Sequence, residues 1–195
     1  MLQDKLKGNQ NSSILVIGCF HGDEPQGKYL IEEYLKTKPD TNLCFIPCLN
    51  EYGLEHNVRT NSNGVDLNRN FPTKNWIKAE NNDYFGGDYP NSEVETKFLV
   101  DLIEKNKFDA IITIHSPYKT VNYDGPAEAL ANKISEIVGY PTSSDIGYPT
   151  PGSFGTYCGV ERQIPTITIE IDENEDIEIL NKKFHKLFQY LENEY

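Results

Sequence analysis

Two histidines and a glutamate stand where a metal ion could gather them. His21 and Glu24 lie three apart in the segment HGDE, and His115 ends ITIH at residues 112–115. Two imidazoles and one carboxylate are a usual ligand set of a catalytic zinc, which keeps its fourth position for water. The segment RTNSNGVDLNRNFP, residues 59–72, adds arginines and asparagines. A guanidinium binds a carboxylate through two parallel hydrogen bonds. The segment TITIEI, residues 166–171, sets Glu170 in an apolar run, where a general base could sit. These residue types imply metal-assisted hydrolysis of a substrate with a free carboxylate.

Each residue also has a plainer reading. The spacing of His21 and Glu24 lets both face one point if the turn is tight, which Gly22 permits. The same spacing arises when an exposed histidine precedes a helix-start glutamate. His115 ends an apolar strand, where an imidazole is costly without a partner; a satisfied structural histidine meets that demand as well as a ligand does. Asp66 is a candidate to take the second N–H of His21, or a turn-forming aspartate after Gly64. The chain has fifteen lysines but three arginines, and two of these, Arg59 and Arg69, fall within eleven residues. Arginine differs from lysine where planar binding of a carboxylate is needed. Glu170 must be paired, protonated or at a solvent-facing strand end, and desolvation would raise its pKa toward the range of a general base. His56 and His185 lie in a loop and a helix with no matching context.

The elements that position these residues alternate between strand and helix. Residues 13–19, 42–48, 108–115 and 166–171 read as buried strands, with a short one near 120–123. Pro25 suits a first helical turn, and helical spacing follows it. Ser92 and Glu95 read as a capping box that starts a helix running to about Lys105. Residues 127–138 read as a helix ended by Gly139, and 176–192 as a closing amphipathic helix with Ile177, Leu180, Phe184, Leu187, Phe188 and Leu191 on one side. Residues 49–89 read as one long loop, and 147–159 as a Gly/Pro-rich loop. The alternation predicts an α/β fold, a three-layer α/β/α sandwich with a mixed, mostly parallel sheet. His21, His115 and Glu170 would then meet beyond the carboxyl ends of the strands.

A chain of 195 residues is expected to form a single domain over residues 1–195. The net charge of −12 argues against nucleic acid. No stretch is apolar enough to span a membrane, and the first thirteen residues lack the apolar core of a signal peptide, so the expected location is the cytoplasm. None of the four cysteines, Cys19, Cys44, Cys48 and Cys158, forms a CxxC pair; they read as small buried residues. Composition does not set an oligomeric state.

The motifs together resemble the M14 zinc carboxypeptidases, from about residue 14 to 172. The resemblance rests on HGDE, the R-x-N-x-x-G-V-D-L-N-R-N-F-P block, SEVET at residues 92–96, IHSP, and the stretch from PGSFG to TITIE. The nearest subgroup resembles the murein peptide amidases. The resemblance implies one Zn2+ held by His21, Glu24 and His115, with Asp66 orienting His21. Arg59 would stabilise the oxyanion, Asn68 and Arg69 would grip the terminal carboxylate, and Glu170 would act as base and then acid. Tyr148 would close over the substrate, with Tyr157 as the alternative. A cis peptide is implied at Ser116–Pro117. The implied partner is a small peptide with a free carboxylate. The implied activity is a metallopeptidase of peptidoglycan recycling that cuts the γ-D-glutamyl–meso-diaminopimelate bond. Phe154, Gly155, Glu161 and Arg162 fall near the expected pocket wall.

Two other readings stay open at this level. Acylases of the aspartoacylase or succinylglutamate desuccinylase type share the zinc pair and a DLNR segment, although they carry a further β region where this chain offers a helix. A non-catalytic zinc- or peptide-binding domain would keep the same fold. A serine hydrolase fits worst, because PGSFG is not a strand-to-helix GxSxG elbow.

Overall fold

A computed structural model of the chain describes residues 2–80 and 82–195. In chain order it holds a 3-10 turn (Leu2–Lys5), β1 (Lys7–Gly8), β2 (Ile14–Gly18), α1 (Gln26–Thr37), β3 (Cys44–Ile46) and α2 (Glu51–His56). A 3-10 turn (Leu67–Arg69), α3 (Val94–Lys105), β4 (Ala110–His115), β5 (Thr120–Asp124) and α4 (Glu128–Val138) follow. The chain continues through β6 (Thr142–Ser143), a π-helical turn (Thr156–Val160), β7 (Thr166–Glu170) and α5 (Ile177–Glu194).

The strands form one sheet in the order β1-β3-β2-β4-β7-β5-β6. The β2–β3, β2–β4, β4–β7 and β5–β6 pairs are parallel, and β1–β3 and β5–β7 are antiparallel. The mixed, mostly parallel sheet expected from the sequence is therefore present. Strand side chains alternate between faces, and this sorts the core into two. Ile14, Val16, Ile112, Ile114, Ile167 and Ile169 join the buried faces of α1, α4 and α5. Leu15, Ile17 and Ile111 pack on the other face with α3 and with Leu67, Phe71, Phe154 and Tyr157. Helices on both faces make the α/β/α sandwich.

Order reverses at β2, which has β3 on one side and β4 on the other. The crossover through α1 packs on one face and that through α3 on the other. Such a switch point opens a crevice at the carboxyl ends of its strands. His21 follows β2, His115 ends β4, and Glu170 ends β7 directly beside His115.

Several boundaries differ from expectation. The span 49–89 is not one loop: α2 and the Leu67–Arg69 turn lie inside it. α2 is capped by Asn50, whose Oδ1 accepts from the Gly53 amide at 2.9 Å. His56 therefore sits on a helix, stacked on Tyr52. The Ser92–Glu95 capping box does not form. The loop residue Asn70 does that work instead, its Oδ1 accepting from the Glu93 amide at 3.2 Å and from Thr96 Oγ1 at 2.6 Å. Ser92 accepts from Asn70 Nδ2, and Glu95 accepts from Asn61. Pro25 does open the first turn of α1 as expected: its backbone is helical, and its carbonyl accepts from the Tyr29 amide at 3.3 Å. Ile177 is exposed and not on the buried stripe of α5. The span 147–159 runs into the π-helical turn.

Gly22 is needed for a reason other than a permissive turn. A Cβ on it would lie 1.8 Å from the Gly53 carbonyl carbon, so the His21 loop rests on the backbone of α2. Gly22→Ala should push α2 away and lower stability by about 1–3 kcal/mol, the usual cost of overpacking. The urea midpoint of the metal-free protein reads this directly.

Candidate metal centre and substrate cavity

Glu24 lies between the two histidines. His21 Nδ1 is 2.8 Å from its Oε1, and His115 Nδ1 is 2.9 Å from its Oε2. The Ser116 amide donates to Oε2 at 3.3 Å. All three residues are buried, and their ligand atoms lie within 4.8 Å of one another. Phe20 backs His115, with ring centroids 5.4 Å apart. Burial works against the charge on Glu24, but the two imidazoles outweigh it and hold the carboxyl far below its usual range. Burial also opposes the charge on His21, yet Glu24 and Asp66 raise its pKa to about 9.

The donor set fits zinc. Two Nδ1 atoms and a carboxylate converge from a dry wall, and an ion bound there takes the place of the proton that they share. Glu170 adds a second sign: its Oε2 is buried and finds no hydrogen-bond partner. Desolvation raises the Glu170 pKa to about 8, and the Glu24 carboxylate adds to the effect.

Asp66 locks the arrangement. Its Oδ1 faces His21 Nε2 at 3.1 Å and accepts from the Asn68 amide at 2.8 Å. Its Oδ2 accepts from Arg59 Nε at 3.0 Å and pairs with Arg59 Nη2 at 2.9 Å. Arg59 also reaches Glu24 at 3.5 Å.

A cavity of about 290 Å³ joins these groups to the rest. His21, Glu24, His115, Arg59, Asn68, Arg69, Tyr148 and Glu170 all line it. Asn68 Oδ1 accepts from the Phe154 amide at 2.8 Å, which leaves its NH2 as a donor. Tyr148 packs on Tyr118, with ring centroids 6.2 Å apart. Its pKa is raised to about 12, chiefly by desolvation and then by Tyr118, so its hydroxyl keeps its proton. Tyr157, the other candidate, is fully buried against Phe71 and away from the cavity. Of the other residues expected at the wall, only Gly155 lines it. Phe154 is core. Glu161 accepts from the Lys74 amide, and Arg162 lies over the Tyr157 ring. Ser116–Pro117 is cis.

Tyr84 was not anticipated. Its ring lies 5.1 Å from the Arg59 guanidinium and 6.0 Å from that of Arg69. A tyrosine in a long polar loop carries no periodic signal, so nothing in the sequence set it apart.

A family model described as zinc carboxypeptidase matches residues 2–132. The chain belongs to the zinc carboxypeptidase family. It is a zinc-dependent metallopeptidase, a hydrolase, and the His21–Glu24–His115 group is able to hold the ion. It is 34% identical over 180 residues to murein peptide amidase A of Vibrio campbellii, covering 83% of this chain and 70% of that one. Against murein peptide amidase A of Escherichia coli (strain K12) it is 32% identical over 158 residues, covering 74% of this chain and 65% of that protein. The crystal structure of a murein-tripeptide amidase from Escherichia coli O157 superposes with a TM-score of 0.81 at 29% identity, covering 94% of this chain and 82% of that one. These relatives do not favour the acylase reading. Among the described residues, no helix is long and apolar enough to cross a membrane.

Two outcomes follow. Asp66→Asn should weaken zinc binding about 10–100-fold, as loss of a ligand's outer partner does, measured by competition with a chromophoric chelator. The second concerns the chelated protein and pH. The folded state holds Glu170 protonated up to about 8, whereas an ordinary glutamate ionises near 4.5. Stability is therefore lost as pH rises between those values. Glu170→Gln should remove that loss, so its unfolding midpoint should gain on the native chain from pH 5 to pH 9.

Proposed function

We propose that residues 1–195 act as one catalytic unit that hydrolyses the amide bond joining a terminal residue to a murein peptide, the γ-D-glutamyl–meso-diaminopimelate bond. The observation that carries this reading is a single cavity lined by a zinc-type triad, a carboxyl of raised pKa and two arginines. The names of the relatives supply the peptide class.

Arg69 and the Asn68 amide take the substrate's free carboxylate, which sets the scissile carbonyl near the triad. Zinc, when bound, supplies Lewis acidity and brings the pKa of a water to about 7. Glu170 accepts a proton as water adds to the carbonyl carbon. Arg59 commits Nε and Nη2 to Asp66 and reaches Glu24 through Nη1, and its N–H groups beyond these contacts serve the developing oxyanion, a contact of the kind worth about 3 kcal/mol. Glu170 returns its proton to the departing nitrogen, the C–N bond breaks, and an amine and a carboxylic acid leave. Tyr148 offers its hydroxyl as a donor above the substrate. Arg59 and Glu170 are the catalytic residues in this scheme, and Asn68, Arg69 and Tyr148 bind substrate. We place the reaction in the cytoplasm; the four buried free thiols suit a reducing compartment.

Hydrolysis of the γ-D-glutamyl–diaminopimelate tripeptide and of an N-acyl-aspartate tests the reading. The tripeptide should be cut, chelation should abolish turnover, and added zinc should restore it. Glu170→Gln should keep one zinc per chain yet lose at least about 10²-fold in kcat. Undiminished turnover in that variant removes Glu170 as base, and preference for the N-acyl-aspartate supports the acylase reading instead.

A further inference from the structure

Two of the four thiols meet beside the loop that carries His21. β2 and β3 are parallel, and their chains stay joined past the strand ends. The Leu49 amide donates to the Gly18 carbonyl at 3.2 Å, and the Asn50 amide to the Cys19 carbonyl at 3.0 Å. Cys19 and Cys48 therefore lie on neighbouring chains, and their thiol groups interact. Neighbouring strands run about 4.8 Å apart, and a disulfide spans Cα atoms about 4.4–6.8 Å apart.

The two thiols differ in access. Cys19 is fully buried, whereas Cys48 lines a surface pocket together with Lys5, Lys7 and Lys28. Lys5 Nζ donates to the Cys48 carbonyl at 3.1 Å and also pairs with Glu51. The Cys19 thiol holds the Cys48 pKa below its ordinary value, against burial, and Lys5 adds to the effect. Burial raises the pKa of Cys44 and of Cys158 instead. A reactive cysteine needs an electropositive, partly accessible setting, and Cys48 has one.

Cys19 connects this pair to the metal centre. Its Sγ donates to the His21 carbonyl at 3.4 Å. Its backbone is left-handed, with φ of 51°, so the chain turns from β2 toward His21 at this residue. Gly22 rests on Gly53 of α2, and Asn50 caps that helix. Residues 19–22 and 48–53 thus pack as one unit, and a new bond at the thiols is felt at His21.

We propose that Cys48 is a site of oxidation by hydroperoxides, that Cys19 is its resolving thiol, and that the disulfide they form loosens the hold of His21 on zinc. The Cys48 sulfur attacks the peroxide, the O–O bond breaks, and a sulfenic acid forms as water or an alcohol departs. The Cys19 sulfur then attacks the Cys48 sulfur, the S–O bond breaks, and water leaves with the Cys19 proton. The two thiols give up two electrons, and the peroxide takes up the same two. The Cys19 S–H bond to the His21 carbonyl is lost, and its sulfur is drawn toward Cys48. Two equivalents of a small thiol restore the pair and become a disulfide themselves.

Treatment of the zinc-loaded native chain with hydrogen peroxide tests this, followed by thiol titration, peptide mapping by mass spectrometry and zinc competition with a chromophoric chelator. Two of the four thiols should disappear, and mapping should join Cys19 to Cys48. Zinc affinity should fall about tenfold or more, the scale of a disturbed ligand support, and dithiothreitol should restore it. Cys48→Ser should keep its remaining thiols and its zinc affinity under the same treatment. Survival of all four thiols, or a link through Cys44 or Cys158, overturns the proposal, and neither result needs a variant to fold. A Cys19–Cys48 link that leaves zinc affinity unchanged overturns the coupling to His21. No arm of the experiment involves turnover, so its outcome is separate from that of the catalytic reading.

Discussion

A buried aspartate must have every lone pair satisfied, and Asp66 meets that demand with the residues that the chemistry needs. A carboxylate offers about four acceptor sites. Here His21 and the Asn68 amide occupy those of Oδ1, and two nitrogens of Arg59 occupy those of Oδ2. Burial opposes its charge, but His21, Arg59 and Arg69 together hold its pKa well below the carboxylate range. With His21 Nε2 committed to Asp66, Nδ1 is left to face Glu24. The same residue starts the Leu67–Arg69 turn, which presents Asn68 and Arg69 to the cavity. One buried charge thus ties His21, Arg59 and the turn that carries Asn68 and Arg69 into a unit. Removing any partner leaves an uncompensated charge, which is why such a group resists piecemeal change.

The sheet supplies the second constraint. On one face every inward residue of β2, β4 and β7 is apolar, and three helices cover it. On the other face the pattern shifts across the sheet. Leu15 and Ile17 of β2 are apolar, Thr113 and His115 of β4 are polar, and Thr168 and Glu170 of β7 continue the change. Thr113 Oγ1 lies 3.1 Å from Thr168 Oγ1, which satisfies the polar row where it is buried. The fold can place a polar cavity on the sheet because one face is core across β2, β4 and β7, whereas the apolar packing of the other face stops at β4.

Fold and chemistry were legible to different depths. Strands β2, β4 and β7 were readable because runs such as SILVIG and TITIEI have no other stable place than a sheet interior. The triad, Asp66, Arg59, Asn68, Arg69 and Glu170 stood out because their residue types are costly without partners, and all of them line or support one cavity. What escaped notice was set by contacts between remote segments. The cap of α3 comes from Asn70, twenty-six residues before Thr96, so the local Ser92–Glu95 pattern pointed to the wrong acceptor. The span from 49 to 89 read as one loop, but amide side chains bind it together. Asn61 and Asn63 donate to Glu93, and Asn70 donates to the Gly86 carbonyl. Asparagine richness signalled this lattice and not a lack of order. The choice between Tyr148 and Tyr157 also needed coordinates, since both lie at plausible distances from Glu170 along the chain and only packing sends one inward.

The two glutamates of the cavity show how position assigns chemical roles. Both are buried and carry the same functional group. Glu24 sits between two imidazoles, and their attraction outweighs desolvation, so it stays ionised as a ligand must. Glu170 ends a strand beside His115 but finds no such partner, and burial together with the Glu24 charge favours its neutral form. The depressed pKa of the first therefore helps to raise that of the second. A cation among His21, Glu24 and His115 would weaken that coupling and draw the Glu170 pKa down toward neutrality, where a carboxylate takes up and gives back a proton most readily. Glu24 and Glu170 are in this sense one coupled system, and the sheet register that sets Glu170 against His115 is what joins them.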